Sequence, residues 1–201
     1  MKKIILIGAG GHCNSCIDVI ELEKKYKIIG FFDNKKKIKN LKYKILGNDK
    51  NLNFLLTKYK FAHISIGQIK NVKKREEIFL NLKKIGFKIP SIISPLAYVS
   101  PKAKIGEGTI VMHGAIINRG AVIGKNCIVN TKALIEHDVF VGNNCHVSTR
   151  STLNGGVILG NNSFIGSHAI LKQNIKVGKN CFINANLFVN KNIKNNSRIY
   201  E

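Results

Sequence analysis

A six-residue hydrophobic repeat dominates the second half of the chain. Every sixth position from Ile93 to Val189 is Ile, Val or Leu, which gives seventeen positions without an exception. A period of six matches neither an α-helix, at 3.6 residues per turn, nor a simple strand, at two. It is typical of a β-helix built from hexapeptides, in which three six-residue sides form one triangular coil. The repeat therefore predicts a parallel β-helix with an aliphatic interior.

Most of these hexapeptides also share a polar pattern. The aliphatic residue is followed by Gly or Asn, then two variable residues, then a small residue, as in residues 105–110 and 123–128. We expect Gly or Asn to provide the backbone freedom that a corner needs, and the small residue to let the narrow interior close. Cys127, Cys145 and Cys181 occupy the small position, so we expect buried core thiols without disulfides.

The repeat also predicts which residues are neighbours. With three sides of six residues to a coil, residues 18 apart stack at a spacing of about 4.8 Å. One predicted corner column contains Arg119, His137, Gly155 and Gln173.

The first ninety residues follow a different pattern, in which apolar runs alternate with segments of helical spacing. Strands are predicted at 3–8, 27–32 and 61–66, and helices at 14–25 and 72–84. Such alternation is typical of a parallel sheet. The predicted fold class is thus an α/β Rossmann-like βαβαβ domain over residues 1–90, followed by an all-β β-helix domain over residues 91–201.

The chain is strongly basic, with 33 Lys and Arg against 11 Asp and Glu and a net charge of +22. This charge would suit nucleic-acid binding. The lysines are scattered, however, and no basic patch is interleaved with aromatic residues that could stack on bases. Attraction of small anions such as nucleotide sugars or coenzyme A fits the charge equally well. We therefore expect no nucleic-acid partner.

The apolar runs are short. None reaches the roughly 18 residues that a membrane span needs, and the apolar start of the chain leads into a structured motif rather than a signal peptide. We expect no membrane span and a cytoplasmic protein.

A glycine-rich turn follows the first predicted strand. Gly8 and Gly10, with Asp33 at the end of the second strand, are compatible with a dinucleotide site, but the position of that motif's third glycine holds Cys13. We favour a nucleotide-sugar site. The backbone amides of Gly10, Gly11 and His12 would meet the diphosphate at a helix N-terminus. Asp33 would then accept hydrogen bonds from ribose or uracil. A purely structural tight turn is the alternative.

The polar corner pattern changes at Glu136-His137-Asp138, where a histidine and an acid replace the usual corner residues. An imidazole beside a carboxylate is the arrangement of a general base and the group that orients it. One coil further, Gly155 could offer a backbone N–H to an oxyanion. An ordinary exposed turn histidine is the alternative for His137 alone. His146 could donate to a ligand, and Asn130 could hold a substrate or the catalytic loop.

These features together resemble the hexapeptide-repeat acyltransferases of the sialic acid O-acetyltransferase and UDP-bacillosamine N-acetyltransferase subfamily. The resemblance covers essentially the whole chain and is carried by residues 7–12, 31–33, 66–67 and 130–156. It implies a left-handed β-helix, a homotrimer with each site between two adjacent prisms, and acetyl-CoA as co-substrate. We expect no metal, because no histidine pair lies at ligand spacing. Two departures are Asp138, where some members have Glu, and Cys13-Asn14 after the first-loop histidine.

The resemblance also implies roles for single residues. His137 and Asp138 fall on the catalytic pair, His146 and Gly155 on acetyl-CoA contacts, and Asn130 on the active-site asparagine. The sugar is held partly by the N-terminal domain, where we place Gly67 with Gly10, Gly11, His12 and Asp33.

Three functions are therefore in competition. The favoured one is N-acetylation of a nucleotide-linked amino sugar, such as a UDP-4-amino-4,6-dideoxy sugar, for bacterial glycan or nonulosonic acid synthesis. The second is O-acetylation of sialic acid or a related sugar. The third is a non-catalytic sugar-nucleotide-binding protein.

Overall fold

The N-terminal unit is a four-stranded parallel sheet with helices packed against it. The computed structural model describes residues 1–33, 42–48, 56–69 and 71–201. The strands are β1 (Lys2–Ile7), β2 (Tyr26–Phe32), β3 (Ile45–Gly47) and β4 (Phe61–Ile64), in the order β3-β2-β1-β4. The helices are α1 (Gly11–Glu23) and α2 (Lys73–Ile85). The short strand β3, at the edge of the sheet, was not predicted.

Helix α1 begins three residues earlier than its apolar spacing predicts. Gly10, with an extended backbone, is the residue that precedes the helix, and no side chain caps it. The helix ends at Glu23, and the next residue, Lys24, adopts a left-handed conformation. Gly11 and His12 therefore lie in the first helical turn, where backbone N–H groups have no partner within the helix.

The second unit is a parallel β-helix made of two-residue strands on three faces. The first face contains β5 (Ile92–Ile93), β8 (Ile110–Val111), β11 (Ile128–Val129), β14 (His146–Val147), β17 (Phe164–Ile165), β20 (Phe182–Ile183) and β22 (Arg198–Ile199). The second face contains β6 (Tyr98–Val99), β9 (Ile116–Ile117), β12 (Leu134–Ile135), β15 (Thr152–Leu153), β18 (Ile170–Leu171) and β21 (Phe188–Val189). The third face contains β7 (Lys104–Ile105), β10 (Val122–Ile123), β13 (Phe140–Val141), β16 (Ile158–Leu159) and β19 (Lys176–Val177).

The register of these strands confirms the 18-residue coil. Val129 pairs with both Val111 and Val147, and the same step recurs on the other faces. Fourteen of the seventeen repeat aliphatics are buried in one continuous core, and the other three, Ile93, Val99 and Ile105, are partly buried in the first coil. The three predicted core cysteines are buried and free.

The corners correct one expectation. The glycine directly after the aliphatic residue does not adopt a positive φ. It is needed for space, because a Cβ built on Gly160 would lie 2.6 Å from the backbone carbon of Gly178 in the next coil. The left-handed backbone falls two residues later, where Gly108 (φ 74°), Asn126 (φ 56°) and Asn144 (φ 55°) are examples.

The N-terminal unit packs on the first face of the prism. Helix α1 and the strand residues Ile92, Ile110 and Ile128 share one buried cluster. At the seam with α2, asparagines of consecutive coils form a ladder: Asn126 Nδ2 donates to Asn144 Oδ1 at 2.9 Å, and Asn144 Nδ2 donates to Glu76 Oε1 at 2.9 Å. Apolar and polar contacts thus both fix the two units against each other.

Within the described residues, no helix is both long enough and apolar enough to cross a membrane.

Replacing Gly160 by alanine should destabilise the prism by about 1–3 kcal/mol, because the added methyl group meets backbone rather than a movable side chain. Gly11→Ala is the matched control, since a Cβ there has nothing within 4 Å. Chemical denaturation measures both. Equal stability of the two variants would contradict the close approach of the coils.

Candidate functional site

A cleft of about 670 Å³ lies between the N-terminal unit and the first face of the prism. Its lining comes from the glycine-rich turn, the loop after β4 and three coils of the prism. The lining residues are Gly8, Gly10, Gly11, His12, Asp33, Ile66, Gly67, Gln68, Ile69, Lys74, Asn130, His146, Ser148, Phe164 and Ser167. The cleft therefore collects all six predicted substrate-binding residues and His146.

The N-terminal wall of the cleft is shaped for an anion. The N-terminus of α1 opens into it, and a Cβ on Gly10 or Gly11 would meet nothing within 4 Å, so backbone amides are accessible there. Asp33 Oδ2 accepts a hydrogen bond from the Ala9 N–H at 2.8 Å and so holds the turn. Gly67 packs closely against the turn, since a Cβ built on it would lie 3.3 Å from His12 Cβ.

The prism wall is held by a hydrogen-bond chain through His146, which lies in strand β14 rather than at a corner. Because the Gln68 carbonyl can only accept, Nδ1 of His146 carries the proton, and Nε2 accepts from Asn130 Nδ2 at 3.2 Å. Asn130 Oδ1 in turn accepts from the Thr131 N–H at 2.8 Å, which fixes the amide orientation. The rings of His146 and Phe164 meet edge to face at 5.2 Å.

Burial keeps the histidines of this region neutral. Burial, followed by the positive charge of Arg75, lowers the pKa of His12 to about 3. Burial also lowers the pKa of His146 to about 4, against the opposing effect of its bond to Gln68. His63, fully buried behind the cleft wall in β4, has its pKa lowered to about 3, again by burial first and Arg75 second. At neutral pH these imidazoles add no positive charge.

The predicted catalytic pair lies at an exposed corner between the second and third faces. His137 Nδ1 is 3.0 Å from Asp138 Oδ2, with side-chain exposures of 66% and 73%. Since the carboxylate accepts, Nδ1 carries the proton and Nε2 presents its lone pair. The geometry is that of an oriented base.

Glycines in the two neighbouring coils enclose this pair. A Cβ on Gly155 would lie 2.7 Å from His137 Nε2, and a Cβ on Gly120 would lie 2.3 Å from Asp138 Oδ1. Gly155 therefore leaves room for the imidazole, a role that adds to the predicted oxyanion donor. The Gly156 N–H donates to the His137 carbonyl at 3.0 Å, whereas nothing in the described part of the chain accepts from the Gly155 N–H.

One chain does not bring the two groups of residues together. His137, Asp138 and Gly155 do not line the cleft. Asn130 and His137 occupy successive corners of one coil, with strand β12 of the second face between them. Within the described residues, the cleft and the His137 corner are therefore separate parts of one chain.

Sequence reasoning missed several wall residues. Ser148 lies 18 residues after Asn130, so the column rule could have placed it in the cleft. Gln68 gave no such signal, because its contact with the prism, Nε2 to the Asn144 carbonyl at 2.7 Å, joins segments 76 residues apart. Across residues 1–33, 42–48, 56–69 and 71–201, no group of three His, Cys, Asp or Glu could hold a metal ion.

Both units match known families. Residues 3–82 match the PglD N-terminal domain. Residues 138–173 match the bacterial transferase hexapeptide (six repeats), and residues 156–191 match the hexapeptide repeat of succinyl-transferase. Fold and site thus define a hexapeptide-repeat transferase with an N-terminal α/β unit.

Solved structures match the whole chain. The acetyltransferase domain of PglB from Neisseria gonorrhoeae FA1090, in complex with acetyl coenzyme A, is 30% identical over 98% of this chain and 95% of that one, with a TM-score of 0.92. A variant of perosamine N-acetyltransferase from Caulobacter crescentus, in complex with CoA and GDP-perosamine, is 26% identical over 97% and 91%, with a TM-score of 0.91. WeeI from Acinetobacter baumannii AYE, at 19% identity over 98% and 96% and a TM-score of 0.84, shares the fold. The chain belongs to the hexapeptide-repeat sugar acetyltransferases.

The buried histidines predict a pH dependence of stability. A folded-state pKa below the usual 6.5 means that the unfolded chain binds the proton more tightly. The stability contributed by neutral His12, His63 and His146 is present above pH 6.5 and is lost as the pH falls towards 4.

Denaturation at pH 4.5–8 should show this decline, and NMR should show three imidazoles that do not titrate near 6.5. His168→Ala, at an exposed corner, should leave the slope unchanged. A flat profile would contradict the prediction.

Proposed function

We propose that this protein transfers the acetyl group of acetyl-CoA to the amine of a nucleotide-linked amino sugar. The observation that carries the proposal is the cleft, which joins a helix N-terminus suited to a diphosphate to a prism wall containing His146 and Asn130. The match to an acetyl-CoA complex over 98% of the chain supports the donor. The perosamine N-acetyltransferase, whose structure contains GDP-perosamine, supports an amine acceptor. We favour N-acetylation over O-acetylation for this reason.

In the proposed reaction the sugar amine attacks the thioester carbonyl of acetyl-CoA, and coenzyme A leaves as the thiol. His137 Nε2 takes the proton from the amine and passes it to the departing sulfur of coenzyme A. Asp138 holds the imidazole through Nδ1 and stabilises its positive charge. The Gly155 N–H is directed to the developing oxyanion. Gly10, Gly11, His12, Asp33, Gly67 and Asn130 hold the sugar nucleotide, and His146 contacts the coenzyme.

We further propose that the active site is completed between copies in a homotrimer. The second and third faces, which flank the His137 corner, carry exposed apolar side chains. These are Tyr98, Ile116, Ile170 and Phe188 on the second face and Phe140 and Ile158 on the third. Exposed apolar side chains in several coils of the same faces are typical of an interface. A neighbouring prism that covers these faces could present its own His137 to the cleft.

His137→Ala should lower the turnover of acetyl transfer roughly a hundred- to ten-thousand-fold, as expected for loss of a general base. The assay follows thiol release from acetyl-CoA with UDP- and GDP-linked 4-amino-4,6-dideoxy sugars as amine acceptors and sialic acid as hydroxyl acceptor. His168→Ala is the control at another exposed corner. Full activity of His137→Ala would overturn the mechanism. Preference for sialic acid would establish O-acetylation, and no turnover with intact sugar-nucleotide binding would favour the non-catalytic alternative.

The double variant Phe140→Lys with Ile158→Lys should dissociate the assembly and abolish activity, because each change places a charge in an apolar interface. Lys176→Ala, on the same face, is the matched control. Sedimentation velocity reports the species and circular dichroism the fold. A folded variant that still assembles and turns over would refute the interface.

A further inference from the structure

Arg75, in the first turn of α2, connects three parts of the molecule from a buried position. Its side chain is only 1% exposed. Nη1 donates to the carbonyl oxygens of Ile64 at 2.8 Å and Ile66 at 2.7 Å, and Nε donates to the Asn126 carbonyl at 3.3 Å. It therefore joins the end of β4 and the cleft wall at Ile66 to a coil of the prism.

Within the described residues, the hydrogen bonds of the guanidinium go to backbone carbonyls. Among the described residues, no carboxylate forms an ion pair with Arg75, and Nη2 has no hydrogen-bond partner. Burial lowers the pKa of Arg75 to about 10, so the group stays charged at neutral pH. A buried charge compensated only by carbonyl dipoles is costly. A function that uses the charge would explain why it is kept.

Arg75 lies directly behind the cleft wall, because Nη1 donates to the carbonyl of Ile66, a residue that lines the cleft. The same positive charge contributes, after burial, to the lowered pKa of His12 and of His146, which line opposite walls. Because Arg75 is buried in a low-dielectric interior, water and salt screen its charge from the cleft only weakly. An anion in the cleft would supply the missing counter-charge.

We propose that Arg75 is a positioning residue of the cleft that holds the Ile66–Gln68 wall against the prism and supplies a fixed positive charge for the diphosphate of the nucleotide sugar. This inference rests on the proposed function, since it assigns a role to the anionic part of that substrate. Arg75 acts from behind the wall, through its charge and through the loop that it holds.

Calorimetric titration with UDP and GDP tests the inference without turnover. Arg75→Met removes both charge and hydrogen bonds, whereas Arg75→Lys keeps the charge and loses the planar geometry. Both should lower the melting temperature, but the Met variant should bind the nucleotide about tenfold more weakly than the Lys variant. A merely structural role would affect the two alike. Lys84→Met, an exposed change on the same helix, is the control.

Asn126→Asp covers the case in which Arg75 variants do not fold. It leaves Arg75 in place and adds a negative charge to the residue whose backbone carbonyl accepts from Arg75 Nε at 3.3 Å, so nucleotide affinity should fall several-fold. Equal binding by the Lys and Met variants, or unchanged binding by Asn126→Asp, would overturn the inference. Wild-type protein that binds coenzyme A but neither UDP nor GDP would also overturn it and leave acetyl transfer intact. Wild-type protein that binds neither coenzyme A nor nucleotide would overturn the proposed function itself.

Discussion

Each coil of the prism hydrogen-bonds along its whole length to the coil that follows 18 residues later. The Ile110 N–H donates to the Cys127 carbonyl at 3.0 Å, and the Ile128 N–H donates to the Cys145 carbonyl at 2.9 Å. Because no insertion interrupts this stacking, the two backbones approach so closely that glycine is needed after many of the aliphatic residues. Every outward-facing side chain is consequently fixed in a column. The positions of His137, Gly155, Asn130 and Ser148 all follow from this constraint.

The same constraint holds the cleft and the His137–Asp138 corner apart within one chain. The first face is covered by the N-terminal unit and bounds the cleft, whereas the proposed catalytic pair, His137 and Asp138, lies at the far edge of the second face. Apolar side chains on the second and third faces remain exposed. A rigid prism cannot bend to bring the pair to the cleft, since close packing resists such deformation. Assembly of identical copies is the simplest way to join them, and it would bury the exposed apolar faces at the same time.

Much of this could be predicted from the sequence because the β-helix is nearly one-dimensional. The period of six predicts the fold, and the step of 18 predicts that Gly155 lies next to His137. The cleft residues of the N-terminal unit were found through the glycine-rich turn and strand ends. Long-range packing was not predicted. The edge strand β3 and the contact of Gln68 with the prism were missed. The burial of Arg75 was also missed, because it depends on how α2 packs against the asparagine ladder. No local sequence pattern encodes the packing of α2 against the prism. The predicted reason for the corner glycines, backbone freedom, was also wrong. Glycine is needed there because the next coil leaves no space for a side chain.

Complementation between two inactive variants tests the shared site most directly. One protein would carry His137→Ala, with an intact cleft, and the other His146→Ala, with an intact base. If each site combines the base of one copy with the cleft of its neighbour, every mixed trimer contains one intact site, about a third of the wild-type number. Co-expression with two affinity tags would isolate the mixed species, and thiol release from acetyl-CoA would report their activity. Recovery near that fraction is the predicted result. Mixed trimers without activity would show that base and cleft must belong to the same chain, and would contradict the account.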